Sequence, residues 1–202
     1  MELYFRAMKN YLVFSFIILA FVSCKQEAKF TEVNINQRYT VELPDYLQAC
    51  ADLHENASLQ YQNAELDIYA MVIEEKKSTM ENYDLDYDLE LYYNSIASQA
   101  FVDNIKNGKV SPAGRQEING NKAIVSEITG NFDGKDVYYR MGIIETPYSF
   151  YQVLMWTQTA KKDDYLPDFV RVLESFKELP HPKEELPQPK INPDSVQIQL
   201  AY

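Results

Sequence analysis

Cys50 and His54 stand four positions apart, a spacing that on a helix would put both on one face. There an imidazole can take the thiol proton and leave a nucleophilic thiolate. No third group that would orient the imidazole is evident. No serine elbow, metal-protease signature or phosphate-binding glycine loop occurs in the chain. The run Asp84-Leu85-Asp86-Tyr87-Asp88-Leu89-Glu90 spaces its carboxylates like the opening of a calcium loop. Such a loop needs glycine at its sixth position and glutamate at its twelfth. Those positions hold Leu89 and Ser95, so the run reads as acidic residues before a helix, with weak calcium or manganese binding as the alternative. His181 lies in a proline-rich stretch and reads as solvated. The expectation is no catalytic residue, no cofactor-binding residue and no metal ligand set.

The elements that would position these residues follow from periodicity and turn chemistry. Residues 38–43 alternate like a strand and stop at Pro44-Asp45; residues 59–62 and 66–73 read as two more strands, joined by a turn at Asn63-Ala64-Glu65. Ser78-Thr79-Met80-Glu81 has the form of a capping box, which predicts a helix of about 20 residues after it. Its apolar stripe would be Leu89, Tyr93, Ile96, Ala97, Ala100, Phe101 and Ile105, with Gly108 placed to end it.

Residues 115–157 predict four consecutive antiparallel strands. Asn119-Gly120 and Asp133-Gly134 are two-residue hairpin signals, and Pro147-Tyr148-Ser149 makes a third reversal. A two-residue turn at Asp133-Gly134 sets Glu127 opposite Arg140, Ile124 opposite Ile143 and Val125 opposite Gly142. Glu127 and Arg140 then form a cross-strand ion pair; the alternative is an arginine kept for an anion or a partner. The last two strands are apolar on both sides, whereas a sheet with one wet face alternates apolar and polar residues. Both faces must therefore be covered. One cover is a final helix, with Asp164 as its cap, Pro167 in its first turn and Leu166, Phe169, Val170, Leu173 and Phe176 facing inward. Beyond Leu179 the composition changes: five of the nine prolines fall at positions 180–193, which predicts an extended or disordered tail over residues 180–202.

At the other end, residues 11–22 form an apolar run broken only by Ser15, preceded by Arg6 and Lys9 and closed by Ser23-Cys24. A membrane-crossing helix needs about 20 apolar residues, so this shorter run reads as a secretory signal over residues 1–23. Met1 or Met8 would be its start. Phe21-Val22-Ser23-Cys24 resembles the lipobox of bacterial lipoproteins, which makes Cys24 the acylated first residue of the mature chain. Several acyl chains anchor stably, at about 0.8 kcal/mol per buried methylene. Residues 24–29 would be a short tether. Its five residues after Cys24 reach under about 20 Å at roughly 3.5 Å each, which holds the domain close to the bilayer.

The 202-residue chain carries a formal charge of −11, and loss of Glu2, Arg6 and Lys9 with the signal makes it −12. That charge excludes the phosphate neutralisation on which nucleic-acid binding rests. With Cys24 acylated, Cys50 is a single thiol, so no disulfide holds the fold and residues 30–179 must be stabilised by their core.

Tyr39-Thr40-Val41-Glu42-Leu43-Pro44, Leu59-Gln60-Tyr61-Gln62-Asn63, Asn119-Gly120-Asn121-Lys122-Ala123 and the 151–157 strand look like segments of PsbP-like domains, as does Val172-Leu173-Glu174-Ser175-Phe176. The resemblance covers residues 30–179. It implies an α+β fold with an antiparallel sheet flanked by helices on both faces, an α/β/α sandwich. It also implies assistance to a partner complex rather than catalysis. The expected protein is a non-catalytic accessory lipoprotein of the cell envelope, in the outer membrane, held in the bilayer through acylated Cys24 and facing a protein partner. The alternatives are a small-molecule or metal-ion carrier, or an enzyme. Labelling with a radioactive fatty acid is expected to mark the wild-type chain, and Cys24→Ser to lose both the label and membrane fractionation. A Cys24→Ser chain that still fractionates with membranes, beside an unlabelled wild type, would contradict the lipid anchor.

Overall fold

The computed structural model describes residues 27–81, 87–102 and 104–180. Cys24, Asp84, Asp86 and His181 lie outside the described residues, and with them the export signal, the tether's start and the proline-rich tail. In chain order the strands and helices are β1 (Phe30–Ile35), β2 (Tyr39–Pro44), β3 (Gln48–Ala49), β4 (Ala57–Asn63), β5 (Ile68–Lys76), α1 (Lys77–Glu81), α2 (Leu89–Tyr93), β6 (Lys106–Val110), β7 (Gly114–Ile118), β8 (Asn121–Phe132), β9 (Lys135–Glu145), β10 (Ser149–Gln158), α3 (Lys162–Ser175) and β11 (Lys177–Glu178).

Among the described residues these form two antiparallel sheets. The larger runs β3-β4-β5-β10-β9-β8, and the long outer strand β8 pairs along its free edge with both β7 and β6. The smaller is β1-β2-β11. Both glycine hairpins occur as expected, with Asn119 at φ 47° and Asp133 at φ 50°. Their register sets Glu127 opposite Arg140, Ile124 opposite Ile143 and Val125 opposite Gly142, as the sequence predicts. The β1–β2 turn is also primed but uses Asn36 and Gln37, at φ 49° and 58°, with the Asn34 side chain accepting the Gln37 N–H at 2.9 Å. The fold is α+β, mostly antiparallel sheet, with three α-helices among the described residues.

The apolar alternation of β9 and β10 divides the core in two. Tyr138, Ile144, Tyr151, Val153 and Met155 belong to one cluster with Phe169, Val172, Leu173 and Phe176. Tyr139, Met141, Ile143, Phe150 and Leu154 belong to the other, with Leu89, Tyr92 and Tyr93. Ring stacking closes both: Tyr39 on Phe176 at 5.3 Å in the first, Tyr92 on Phe150 at 4.3 Å in the second.

Several expectations are corrected. The single long helix is replaced by the five-residue α1, then α2, whose end runs into wider π-type turns over Asn94–Phe101. Ser78 sits inside α1; the working cap is Asp88, extended at φ −86° and ψ 172°, whose side chain accepts the Leu91 N–H at 2.8 Å. Gly108 is in β6 rather than at a helix end, where a Cβ would come within 2.8 Å of the Val102 carbonyl oxygen. Asp164 is not the cap of α3: β10 passes through a tight turn at Thr159–Lys161 directly into that helix, leaving Asp164 in its first turn and Pro167 beyond it. Val172 is fully buried where Val170 is only partly so.

Helix α3 lies against β9 through Gly142, where an added Cβ would run into the Leu173 Cδ1. Leu173 is itself buried and has little room to move. Gly142→Ala should therefore destabilise the fold by about 1–3 kcal/mol in denaturant unfolding, the range for overpacked cores. Gly142→Ala with Leu173→Ala should cost less than the two single changes added together. Additive losses would mean that the two residues do not meet.

Candidate functional site

On the α3 side of the sheet, the β8–β9 register brings Glu127 and Arg140 together, with Arg140 Nη1 3.5 Å from Glu127 Oε1. Lys162, the first residue of α3, completes the cluster by donating to Glu127 Oε2 at 2.7 Å, and its ammonium stands 4.6 Å above the Tyr138 ring. Burial would raise the Glu127 pKa, but Lys162, then Tyr138 and Arg140, outweigh it and hold the carboxyl below its usual range. Arg140 Nε, the Tyr138 hydroxyl and the Thr157 hydroxyl are buried with no hydrogen-bond partner among the described residues. Burial above all, then the Glu127 charge, pushes the Tyr138 phenol up, so it stays protonated and can donate.

A second polar network joins the two sheets. Arg38 grips Glu74 with a two-pronged fork, its Nε donating to Oε2 at 2.6 Å and its Nη2 to Oε1. Ser149 donates to Glu74 Oε1 at 2.9 Å. The Tyr151 phenol lies 3.2 Å from both Glu74 Oε1 and Glu178 Oε1, so its one proton serves one carboxylate at a time. Thr146 donates to Glu178 at 2.8 Å. Burial pushes Glu74 up, yet the Arg38 fork, the Ser149 hydroxyl and the Arg38 charge prevail and keep it below the ordinary range. Its neighbour Glu75 points to the opposite face, near Tyr92 and Gln152; burial there raises its pKa and a Tyr92 hydrogen bond only partly offsets this.

Cys50 and His54 do not share a helix face. The segment is irregular rather than helical: the Cys50 N–H is tied to the Gln60 carbonyl, the Leu53 and His54 N–H groups to the Gln60 side chain, and His54 Nδ1 accepts from the Asn56 N–H at 3.1 Å. Burial and then the Asp52 charge push the Cys50 thiol up, away from a reactive thiolate. In the acidic run, Asp88 is taken by the helix cap and Glu90 by a fork from Arg115 at 2.6 and 2.8 Å. These last residues line an open cleft of about 280 Å³ with Lys122 and Glu145. Among the described residues no group of His, Cys, Asp or Glu gathers as a metal site, and no helix is long and apolar enough to cross a membrane.

The sequence reading found the Glu127–Arg140 pair but not Lys162, Tyr138 or Thr157, because how a helix docks on a sheet leaves no local pattern. Glu74 did have a signal, a charge directly following the apolar run 68–73, and Arg38 stands at the start of a predicted strand.

No family model matches the sequence, and no curated protein does. Solved structures do match the fold. The cyanobacterial PsbP protein CyanoP from Synechocystis sp. PCC 6803 is similar over 79% of this chain and 98% of its own, at 11% identity and a TM-score of 0.50. LpqN of Mycobacterium tuberculosis, involved in cell envelope biogenesis, is similar over 77% of this chain and 93% of its own, at 10% identity and a TM-score of 0.54. A protein of Bacteroides thetaiotaomicron VPI-5482 is similar over 74% of this chain and 48% of its own, at 10% identity and a TM-score of 0.50. At such identities the likeness is one of fold, and the fold is PsbP-like, as the sequence motifs implied.

Glu74 and Glu75 should leave opposite marks on stability against pH. The depressed Glu74 contributes stability that is complete above the ordinary glutamate value of 4.5 and is lost as pH falls through its lowered pKa. The raised Glu75 carries a penalty absent below 4.5 and complete once pH exceeds its raised pKa. At pH 7, Glu74→Gln should lower the melting temperature and Glu75→Gln should raise it, with both differences shrinking in acid. Parallel shifts of the two variants would contradict the two environments.

Proposed function

We propose that this protein is a lipid-anchored accessory module of the bacterial cell envelope, in which a PsbP-like domain over residues 30–179 is held close to a membrane by Cys24 and engages a protein partner. In this reading the domain is a sandwich, with α3 over one face of the large sheet and α2 over the other, and the expected membrane is the outer one. The observation that carries it is the junction of tether and fold. Strand β1 begins at Phe30, and the Lys29 carbonyl already accepts the Asp45 N–H at 2.7 Å, so only a few residues separate the fold from Cys24. A domain so tethered works within about 20 Å of its anchor. Support comes also from the fold it shares with LpqN, a protein involved in cell envelope biogenesis. A non-catalytic role is favoured by the use to which the reactive side chains are put: the Cys50 thiol is pushed up, His54 is bonded within its own turn, and Glu74 is clamped by Arg38. Fold likeness alone assigns no function, so the test is direct. The lipidated protein is crosslinked in its native envelope, purified and analysed by mass spectrometry, with Cys24→Ser as the mislocalised control. Reproducible capture of one protein complex, lost in the control, is expected. A folded, abundant bait that captures no specific partner would contradict the accessory role.

A further inference from the structure

The face between β8, β9 and the start of α3 holds more donors than acceptors. Arg140 and Lys162 bring two positive charges to the single carboxylate of Glu127. Lys162 has the better geometry, 2.7 Å against 3.5 Å for Arg140 Nη1. The Arg140 Nε–H, a charged donor, is buried without an acceptor among the described residues. On the same face, two residues along β9, the hydroxyl of Tyr138 is also unpartnered in a side chain with no exposure at all. Directly opposite Tyr138 on β10 is Thr157, 1% exposed, with a third unpartnered hydroxyl. Glu127 and Arg140 both lie near enough to the Tyr138 hydroxyl to shift its titration, although among the described residues neither meets it with the distance and angle of a full hydrogen bond. A buried donor left unmade costs about 1–3 kcal/mol, and more when charged. Of four such groups among the described residues, these three share one face of the sheet, while Ser126 lies on the other.

We propose that this cluster is a binding site for the carboxylate of a small organic acid. One carboxylate oxygen would accept from the Arg140 Nε–H and the other from the Tyr138 hydroxyl, with the Lys162 ammonium balancing the added charge. A carboxylate suits the set because it only accepts, and because its two oxygens can each take one of these donors. Entry would be from the side of Glu127 and Lys162, whose side chains are 31% and 30% exposed, against 17% for Arg140. The chain's charge of −11 repels anions at long range, so binding would depend on these local donors rather than on a general positive field. Neither the anchor nor the partner reading is needed for this inference.

The test uses the full chain without its lipid, with arginine side chains labelled with nitrogen-15, titrated with acetate and with succinate against sodium chloride of equal ionic strength. The Arg140 Nε–H resonance should move and saturate with the carboxylates and stay in place with chloride. Tyr138→Phe removes one oxygen and keeps the ring that packs in the core, so the fold should be kept while succinate affinity falls up to about tenfold, the ratio that one hydrogen bond of up to roughly 1.5 kcal/mol gives. Arg140→Lys, which keeps the charge and loses the planar donor, should abolish the rise in melting temperature produced by succinate. A resonance that does not saturate, or moves equally with chloride, would overturn the proposal and leave the three groups to internal water. Unchanged affinity in Tyr138→Phe would do the same.

Discussion

Strands β9 and β10 are apolar on both faces, and burying both faces is the constraint on which the rest of the structure hangs. Of the ten residues of β10, eight are buried, so this strand has no side that water can have. Burial is worth roughly 25 cal/mol per Å² of apolar surface, and a pair of strands with Tyr138, Tyr139, Met141, Ile143, Phe150, Tyr151 and Leu154 along them would aggregate if one side were left open. The chain answers with neighbours of two kinds. β5 and β8 flank the pair within the sheet, and Leu173 of α3 seats itself over the bare backbone of Gly142. Tyr92 lays its ring flat on Phe150 from the other side.

Polar groups are then left for the margins of the two cores, and how each is satisfied decides what it can do. Glu74 and Glu75 are adjacent in sequence and chemically alike. Strand alternation sends one to a guanidinium fork and the other to the opposite face, where a phenol and an amide stand beside it. Their pKa values are pushed apart by environment alone. The Arg38–Glu74 network ties β2 to β5, and through Tyr151, Thr146 and Glu178 it ties the closing strand β11 to the same point. It is thus a structural clasp between the sheets. The Glu127–Arg140–Lys162 cluster differs, because its donors are not all spent.

What the sequence made legible follows the range of the interactions involved. Hairpins are local: Asn119-Gly120 and Asp133-Gly134 announce their turns through residues that tolerate positive φ, and the register of Glu127 on Arg140 follows by counting. The Asn36-Gln37 turn has the same backbone shape but no glycine, so its signal was weaker than its geometry. The two-faced burial of β9 and β10 was legible because apolar side chains at successive positions break the alternation of a half-wet strand. Helix limits were not, because Ser78 and Asp88 are both good caps, and only the tertiary path decides which begins a helix that packs on the sheet. The course of the Cys50–His54 segment was not legible for the same reason: spacing is meaningful only on a helix, and Gln60 draws that segment into an irregular extension of the sheet. Lys162 joined the candidate site by docking, which no window of sequence contains.

Native-state amide hydrogen exchange, followed residue by residue on the whole chain, tests the central claim most directly. If the two-faced strands are the spine, amides paired between β9 and β10 should exchange only through global unfolding and be the slowest in the protein. The β1–β2 hairpin and the β6 pairing should open earlier. Exchange of the β9 and β10 amides through a lower-energy partial opening, with the β1–β2 hairpin outlasting them, would contradict the account.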